Sequence, residues 1–141
     1  MADETNQLRV RLVTPERVLF EADAFAVELP SKSGYMEVLF GHAPLMAVLG
    51  AGDVTVHPAA DGATTRYTVS WGFAEVLPDR VTILASDALK PEEIDVHRAE
   101  EQLKRGEKMW SEAGESEEAY TVALDVIAEA EAKIASAAEK H

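Results

Sequence analysis

The chain has 141 residues, of which 47% are apolar, and its 26 acidic and 13 basic residues give a formal net charge of −13. This length fits one domain, or a small domain with an appendage, and the apolar content is typical of a folded protein. The acidic balance excludes a nucleic-acid binder, because phosphate contacts need a stripe of lysine or arginine. The absence of cysteine excludes disulfides and thiolate metal sites.

Membrane and export signals are not found in the sequence. The longest mostly apolar stretch, around Tyr35 to Leu49, is interrupted by charged, glycine and proline residues, whereas a bilayer span needs about 20 apolar residues. The N-terminus has no basic segment followed by an apolar one, so no signal peptide is predicted. We therefore expect a soluble, cytoplasmic protein.

The first 90 residues follow the period of β-strands. Leu8–Val13 alternates apolar and basic side chains, as a half-buried strand does. Thr14–Arg17 is typical of a turn, with Pro15 at its second position. Further short strand candidates are Val18–Phe20, Ala24–Leu29, Met36–Phe40, Leu45–Leu49, Gly52–His57, Thr64–Ser70, Phe73–Leu77 and Arg80–Ala85. Many short strands at regular spacing predict a sandwich or barrel, and Asp61-Gly62 predicts a hairpin turn.

Beyond residue 90 the pattern changes to the period of helices, and the net charge is −8 for residues 91–141 against −5 for residues 1–90. The first apolar helical face consists of Val96, Ala99, Leu103, Gly106 and Trp110. The second consists of Tyr120, Ala123, Ile127, Ala130, Ile134 and Ala137. Asp95 and Ser116 are suitable N-caps, and Gly114 ends the first helical segment. We expect an αα-hairpin that packs closely but weakly, because alanine buries little apolar surface.

A search for catalytic or metal-binding patterns finds little. The histidines His42, His57, His97 and His141 do not have metal-ligand spacing, and neither a nucleophile elbow nor a glycine-rich phosphate loop occurs. No catalytic residue, metal or tightly bound cofactor is therefore predicted. His42 lies between two residues that break regular structure, in Gly41–Pro44, where a packing role in a turn competes with a catalytic one.

Several segments resemble a known family, and they occur in the same order along the chain. The main one is Gly34–Leu45, which ends in Gly-His-Ala-Pro-Leu; Leu49–Gly52 and Trp71–Val76 follow it. Val13–Glu16 and Val81–Ala85 match as well. In this order the segments resemble the epsilon subunit of bacterial F-type ATP synthases, which is homologous to the mitochondrial delta subunit. The similarity covers nearly the whole chain.

The resemblance implies a β + α protein: a ten-stranded flattened β-sandwich (residues 1–88) followed by a C-terminal antiparallel two-helix hairpin (residues 89–141). It implies a non-catalytic part of the rotor's central stalk that links the gamma subunit to the membrane c-ring. The gamma-facing surface would include Gly41, His42, Ala43, Pro44 and Leu45. The c-ring-facing loop would be Ser31, Lys32, Ser33, Gly34, Tyr35 and Met36. The protein would lie at the cytoplasmic face of the inner (plasma) membrane without inserting into it, and the hairpin would contact the alpha and beta subunits transiently.

The resemblance also bears on whether the helix hairpin binds ATP and inhibits ATP hydrolysis. The spacing of Asp95 and Arg98 alone favours an N-cap and a surface charge. Ile94, Asp95, Arg98 and Ala99, however, match a family motif that is implicated in ATP binding to the folded hairpin in some members, and the resemblance therefore keeps a nucleotide-binding role open. Those members add arginines from the second helix, and this second helix has none. After Trp110 the chain carries eight acidic residues and two lysines. We therefore expect weak ATP binding and weak inhibition of ATP hydrolysis.

Two positions depart from the family pattern, namely Glu37 in place of a glycine and Phe40 in place of a proline. The first predicts an altered interface or a relaxed turn. Two alternatives to the stalk role remain open from the sequence: an ATP-sensing regulatory module, and an independent β-sandwich hydrolase or sugar-binding domain.

Overall fold

The computed structural model describes residues 7–59 and 62–138. The chain separates into two compact units, the first ending at Ala88 and the second beginning at Leu89.

The first unit is built from seven strands among the described residues. These are β1 (Leu8–Val13), β2 (Val18–Ser31), β3 (Gly34–Leu39), β4 (Leu45–Leu49), β5 (Gly52–Pro58), β6 (Thr65–Leu77) and β7 (Arg80–Leu89). β1 pairs with β7 in parallel and with β2 in antiparallel fashion, and β5 pairs with both β2 and β6. Because β6 also neighbours β7, the hydrogen-bonded strands form a closed circuit around one core.

The ten strands that the resemblance implies are not found, because the described residues form seven. The nine strand candidates of the sequence reduce to seven, since two pairs of candidates are continuous. The polar Glu21–Asp23 segment, which suggested a break, pairs with β1, so β2 runs through it. β6 bends at Trp71 and Gly72, which have φ angles of 47° and 148°, without ending there. β2 pairs first with β1 and then with β3 and β5, while β6 pairs first with β5 and then with β4. Each long strand thus pairs with different neighbours along its two halves.

The sandwich core consists of branched aliphatic side chains from every strand. The predicted alternation in β1 is confirmed, since Leu8, Val10 and Leu12 are buried and Arg9 and Arg11 are exposed. Asp61, the first residue of the predicted hairpin turn, lies outside the described residues, but β5 and β6 on either side pair antiparallel.

The second unit opens with a 3₁₀ turn at Pro91–Glu93 and contains two helices, α1 (Val96–Ser111) and α2 (Glu117–Ala138). Both predicted caps are confirmed. A side-chain oxygen of Asp95 accepts a hydrogen bond from the Arg98 amide at 3.2 Å, and the Ser116 hydroxyl oxygen accepts one from the Ala119 amide at 3.1 Å. The prediction of a two-helix hairpin is correct.

The two helices approach closely at Gly106. A Cβ at this position would lie 2.8 Å from Ile127 Cγ1 and 3.0 Å from Val126 Cγ1. The buried residues facing each other are small: Ala99 and Gly106 on α1, and Ala123, Ala130, Ser136 and Ala137 on α2. The predicted helical faces therefore pack over their middle, whereas Val96 and Trp110 at the two ends of the first face remain 40% and 48% exposed.

Candidate functional site

The Gly-His-Ala-Pro segment begins with a β-turn after β3. The His42 amide donates to the Leu39 carbonyl at 3.1 Å, and Gly41 has a φ of 90°. A positive φ at the third residue of the turn is the mark of a type II turn and explains the glycine. The Gly41 amide donates to the Pro78 carbonyl at 2.7 Å, so the turn is tied to the β6–β7 connection. The segment is therefore an anchored corner of the sandwich.

His42 interacts locally at this corner. Its Nδ1 lies 2.7 Å from the carbonyl oxygen of Ala43, the next residue. Among the described residues, the group of His, Asp and Glu side chains close enough to share a metal ion does not include His42. The local bond agrees with a turn-packing role.

An apolar strip continues from this corner along β4 and onto β6. Met46 and Val48 project from the same face of β4 and are 63% and 50% exposed. Val48 lies directly opposite Phe73 of β6, which is also 50% exposed, and Leu45 at the start of β4 is exposed as well. We call Leu45, Met46, Val48 and Phe73 the apolar strip. A run of exposed apolar side chains beside an anchored turn is typical of a protein-docking surface.

The docking surface predicted from the sequence includes Leu45 of the strip but not Met46, Val48 or Phe73. The sequence does contain one indication of the strip: all five residues of Leu45–Leu49 are apolar. An uninterrupted apolar strand is one whose two faces both become covered. The pairing of Val48 with Phe73, by contrast, depends on a register that no local pattern shows.

The segment from Ser31 to Met36 includes the tight connection between β2 and β3. Ser31 pairs with Gly34, and the Ser31 hydroxyl donates to the Gly34 carbonyl at 2.5 Å. Lys32 places its ammonium 5.2 Å from the centre of the Trp71 ring, and its amide donates to the Val48 carbonyl at 2.8 Å. These contacts fix the connection to the two neighbouring strands β4 and β6.

The loop is also supported from below by Tyr35. Its hydroxyl oxygen accepts a hydrogen bond from the Asp53 amide at 2.9 Å. The tyrosine lies against Gly52, where a Cβ would be 2.5 Å from the hydroxyl oxygen. Only glycine fits under the phenol, which accounts for the second glycine of Leu49–Gly52. The loop therefore presents a rigid hairpin tip.

The second unit contains a pocket of about 510 Å³ beside the start of α1. Its lining includes all four residues of the predicted nucleotide motif, Ile94, Asp95, Arg98 and Ala99. Ile94 and Ala99 are buried, whereas Asp95 and Arg98 are exposed. The four residues are thus brought together at one concave surface.

Sequence reasoning missed two cationic residues of this pocket. Arg105 of α1 and Lys133 of α2 also line it. Arg105 is two helical turns beyond Arg98, which is a detectable spacing, but the approach of Lys133 depends on how α2 packs against α1. Lys133 Nζ lies 3.1 Å from a carboxylate oxygen of Glu129. Part of its charge is therefore already balanced.

Acidic side chains further limit the attraction of the pocket for phosphate. Glu93, Asp95 and Glu101 line the same space as the cationic residues. Glu93 accepts a hydrogen bond from the Lys90 amide at 2.8 Å, and Asp95 caps α1. The pocket therefore has no large positive excess with which to hold a triphosphate.

In the part of the chain that the structure describes, neither helix has the length and hydropathy of a membrane span. The architecture defines the class of protein: a β-sandwich with an exposed apolar strip, followed by a two-helix hairpin. A family model described as the ATP synthase, Delta/Epsilon chain, beta-sandwich domain matches residues 7–91. The chain belongs to the ATP synthase delta/epsilon chain family.

Relatives agree with this assignment, and a solved structure shares the fold. The ATP synthase epsilon chain of Koribacter versatilis is 45% identical over 103 residues, which cover 73% of this chain and 71% of that protein. The epsilon chain of Moorella thermoacetica is 45% identical over 101 residues, covering 72% and 75%. A chain in the mitochondrial ATP synthase of Euglena gracilis, solved with the c-ring, has a TM-score of 0.77 at 23% identity and covers 92% of this chain and 81% of that one. At this identity the structural match shows the shared fold.

Proposed function

We propose that this chain is a non-catalytic subunit of the central stalk of a proton-translocating F-type ATP synthase. It links the gamma subunit to the c-ring and turns with them, so that proton flow is coupled to ATP synthesis on other subunits. Family membership supports this role, and the apolar strip beside the Gly41–Leu45 turn is the observation that carries it. As a subunit of this complex the chain is peripheral to the membrane, and we propose that it lies on the cytoplasmic face.

The gamma subunit docks on the turn and the apolar strip. Exposed methionine, valine and phenylalanine side chains on two paired strands give a flat apolar surface, which a helical or sheet partner covers by burying its own apolar face. The strip is supported by a closed and fully packed core, so little conformational entropy is lost when the partner binds.

Co-purification with a gamma subunit tests this interface. Replacing Met46 and Val48 with Glu places two charges in the buried centre of the contact, and we expect the affinity to fall by at least about tenfold. Phe25→Glu is the matched control, because Phe25 is 62% exposed but belongs to β2 and has no strand partner in β4 or β6. A wild-type chain that stays monomeric in the presence of gamma contradicts the proposed function.

The Ser31–Met36 loop faces the polar loops of the c-ring. It forms the tip of a hairpin that is fixed by the Lys32–Trp71 and Tyr35–Gly52 contacts, as torque transmission requires. Because the chain has no cysteine, Ser33→Cys gives a single cross-linking site. We expect disulfide or maleimide cross-links to a cysteine in the c-ring loop. Glu16→Cys, at the opposite end of β2, is the control that does not cross-link.

The hairpin binds ATP weakly and inhibits ATP hydrolysis weakly. The pocket that gathers Asp95, Arg98, Arg105 and Lys133 favours some nucleotide binding, whereas its acidic lining and the ion pair of Lys133 limit the affinity. We expect millimolar ATP to raise the hairpin's melting temperature slightly, with the shift lost in Arg98→Ala and kept in Lys104→Ala, an exposed residue of α1 outside the pocket lining. If ATP does not shift the melting temperature of the wild type, the proposed ATP binding is wrong and only the stalk role remains.

Inhibition is tested on the assembled ATP synthase. Removing residues 91–141 is expected to change the rate of ATP hydrolysis only slightly, because an acidic second helix is repelled by acidic segments of the catalytic subunits. Strong activation on truncation contradicts this part of the proposal.

A further inference from the structure

Three side chains with metal-binding atoms converge on one face of the sandwich. Glu37 of β3 lies directly opposite Glu28 of β2. On the other side of Glu28, its partner in β5 is Thr55, two residues before His57. Because residues two apart on a strand share a face, the three side chains project from the same surface. One oxygen of each carboxylate and one nitrogen of the imidazole lie within 4.8 Å of one another.

The charges of this cluster are incompletely balanced. Two carboxylates directly opposite each other on paired strands repel. His57 Nε2 lies 2.8 Å from a carboxylate oxygen of Glu28. A neutral imidazole has a single N–H and can donate to one carboxylate only. Two carboxylates and an imidazole at this spacing are the ligand set of a divalent cation, whose charge would neutralise both acids.

We propose that Glu28, Glu37 and His57 form a binding site for a divalent transition-metal cation of the zinc type. Zinc accepts imidazole nitrogen and carboxylate oxygen at about 2.0–2.2 Å, usually in tetrahedral geometry, which puts ligand atoms about 3.4 Å apart. The ligand atoms here lie at 2.8 Å for the His57–Glu28 pair and within 4.8 Å for the whole group. The two spacings bracket the separation that tetrahedral zinc requires.

The exposure and the donor set narrow the choice of metal. The His57 and Glu28 side chains are 35% and 42% exposed, which leaves the fourth coordination position to water. Calcium and magnesium prefer six or more oxygen ligands in total, and an imidazole contributes nothing to either. The nitrogen ligand selects zinc over these harder cations.

A cation at this position ties together three strands, β3, β2 and β5, at the base of the Ser31–Met36 loop. Metal binding also explains the glutamate at position 37. This residue departs from the family's glycine, and the structure places it in a regular strand rather than in a relaxed turn. The site does not depend on the gamma or c-ring contacts.

Isothermal titration of the metal-stripped, full-length chain with zinc chloride tests the site. We expect the wild type to bind one equivalent of zinc. The affinity should fall by at least about tenfold in Glu37→Gln and in His57→Gln, because each variant loses a metal ligand. His42→Gln and Glu75→Gln are matched controls on the same sandwich, and they keep the wild-type affinity. All four variants introduce glutamine, and circular dichroism verifies that each of them folds.

A parallel titration with calcium chloride distinguishes the site from general attraction to an acidic surface. Calcium heats are expected to be small and equal in all five proteins. The proposal is overturned if the wild type binds no zinc, if Glu37→Gln and His57→Gln bind zinc as the wild type does, or if the two controls lose as much affinity as the site variants.

Discussion

The sandwich and the hairpin bury very different side chains. The twelve largest fully buried side chains are leucine, isoleucine and valine residues of the sandwich. In the described part of the hairpin the buried residues are mostly alanines, with Gly106 at the closest approach of the two helices. Burial of a branched aliphatic side chain contributes about 1.5–3 kcal/mol, and burial of a single methyl group about 0.8 kcal/mol. The sandwich is therefore the stable unit, and the hairpin is held by close but weak packing.

This difference suits the two proposed roles. A unit that transmits torque between a shaft and a membrane ring must not deform, and a closed circuit of strands without a free central edge resists deformation. A regulatory hairpin must instead exchange between conformations, which requires a small free-energy difference between them. The composition of each core thus predicts which unit is rigid and which can switch.

Ile83→Ala is expected to have the largest effect, because it removes a fully buried side chain from the sandwich core. The free energy of unfolding should fall by about 2–5 kcal/mol, combining lost burial with the cavity left behind. The chain has one tryptophan in each unit, Trp71 and Trp110. In a Trp110→Phe background, fluorescence during urea unfolding therefore reports the sandwich alone. Leu84→Ala, one residue further along β7 and 49% exposed, is the control and should cost less than about 1 kcal/mol.

Equal losses in Ile83→Ala and Leu84→Ala would mean that burial does not distinguish the two faces of β7. A loss of helical circular dichroism in step with the sandwich signal would mean that the two units unfold together, and the comparison between them would fail.

Gly106→Leu tests the weaker unit. The leucine side chain meets Val126 and Ile127 of α2 at the point where even a Cβ has too little room. We expect the hairpin to lose about 1–3 kcal/mol from overpacking, despite the higher helix propensity of leucine. The thermal melt at 222 nm measures it, with Glu107→Leu on the exposed side of α1 as the matched control. If both variants stabilise the helix equally, the helices do not pack at Gly106.

Much of the fold was predictable because it rests on local patterns. The strand Leu8–Val13 has the bounds expected from its alternation, and Asp95 and Ser116 cap their helices as their side chains indicate. The strand count was not predictable. A polar segment such as Glu21–Asp23 can end a strand or lie on its solvent face, and only its pairing with β1 decides between them.

The candidate sites divide in the same way. The Gly41–Leu45 turn and the motif around Asp95 are contiguous in sequence, so a pattern can show them. The strip that joins Val48 to Phe73 and the cluster that joins Glu28 to His57 unite residues 25 and 29 positions apart. Their contact is fixed by strand register, which depends on the whole sheet and not on either segment.

The smallest expected effect is a gain in stability of the sandwich when Phe40 is replaced by proline. This residue is the second of the type II turn, where φ is close to the value that proline fixes. Phe40→Pro should therefore raise the unfolding free energy of the sandwich by about 0.4–1 kcal/mol, by restricting the unfolded chain. Phe40→Ala removes the ring without restricting φ and serves as the control in the same urea titration. If Phe40→Pro is less stable than Phe40→Ala, the turn is not preorganised for proline. The phenylalanine would then be adapted to a turn geometry that differs from the family's.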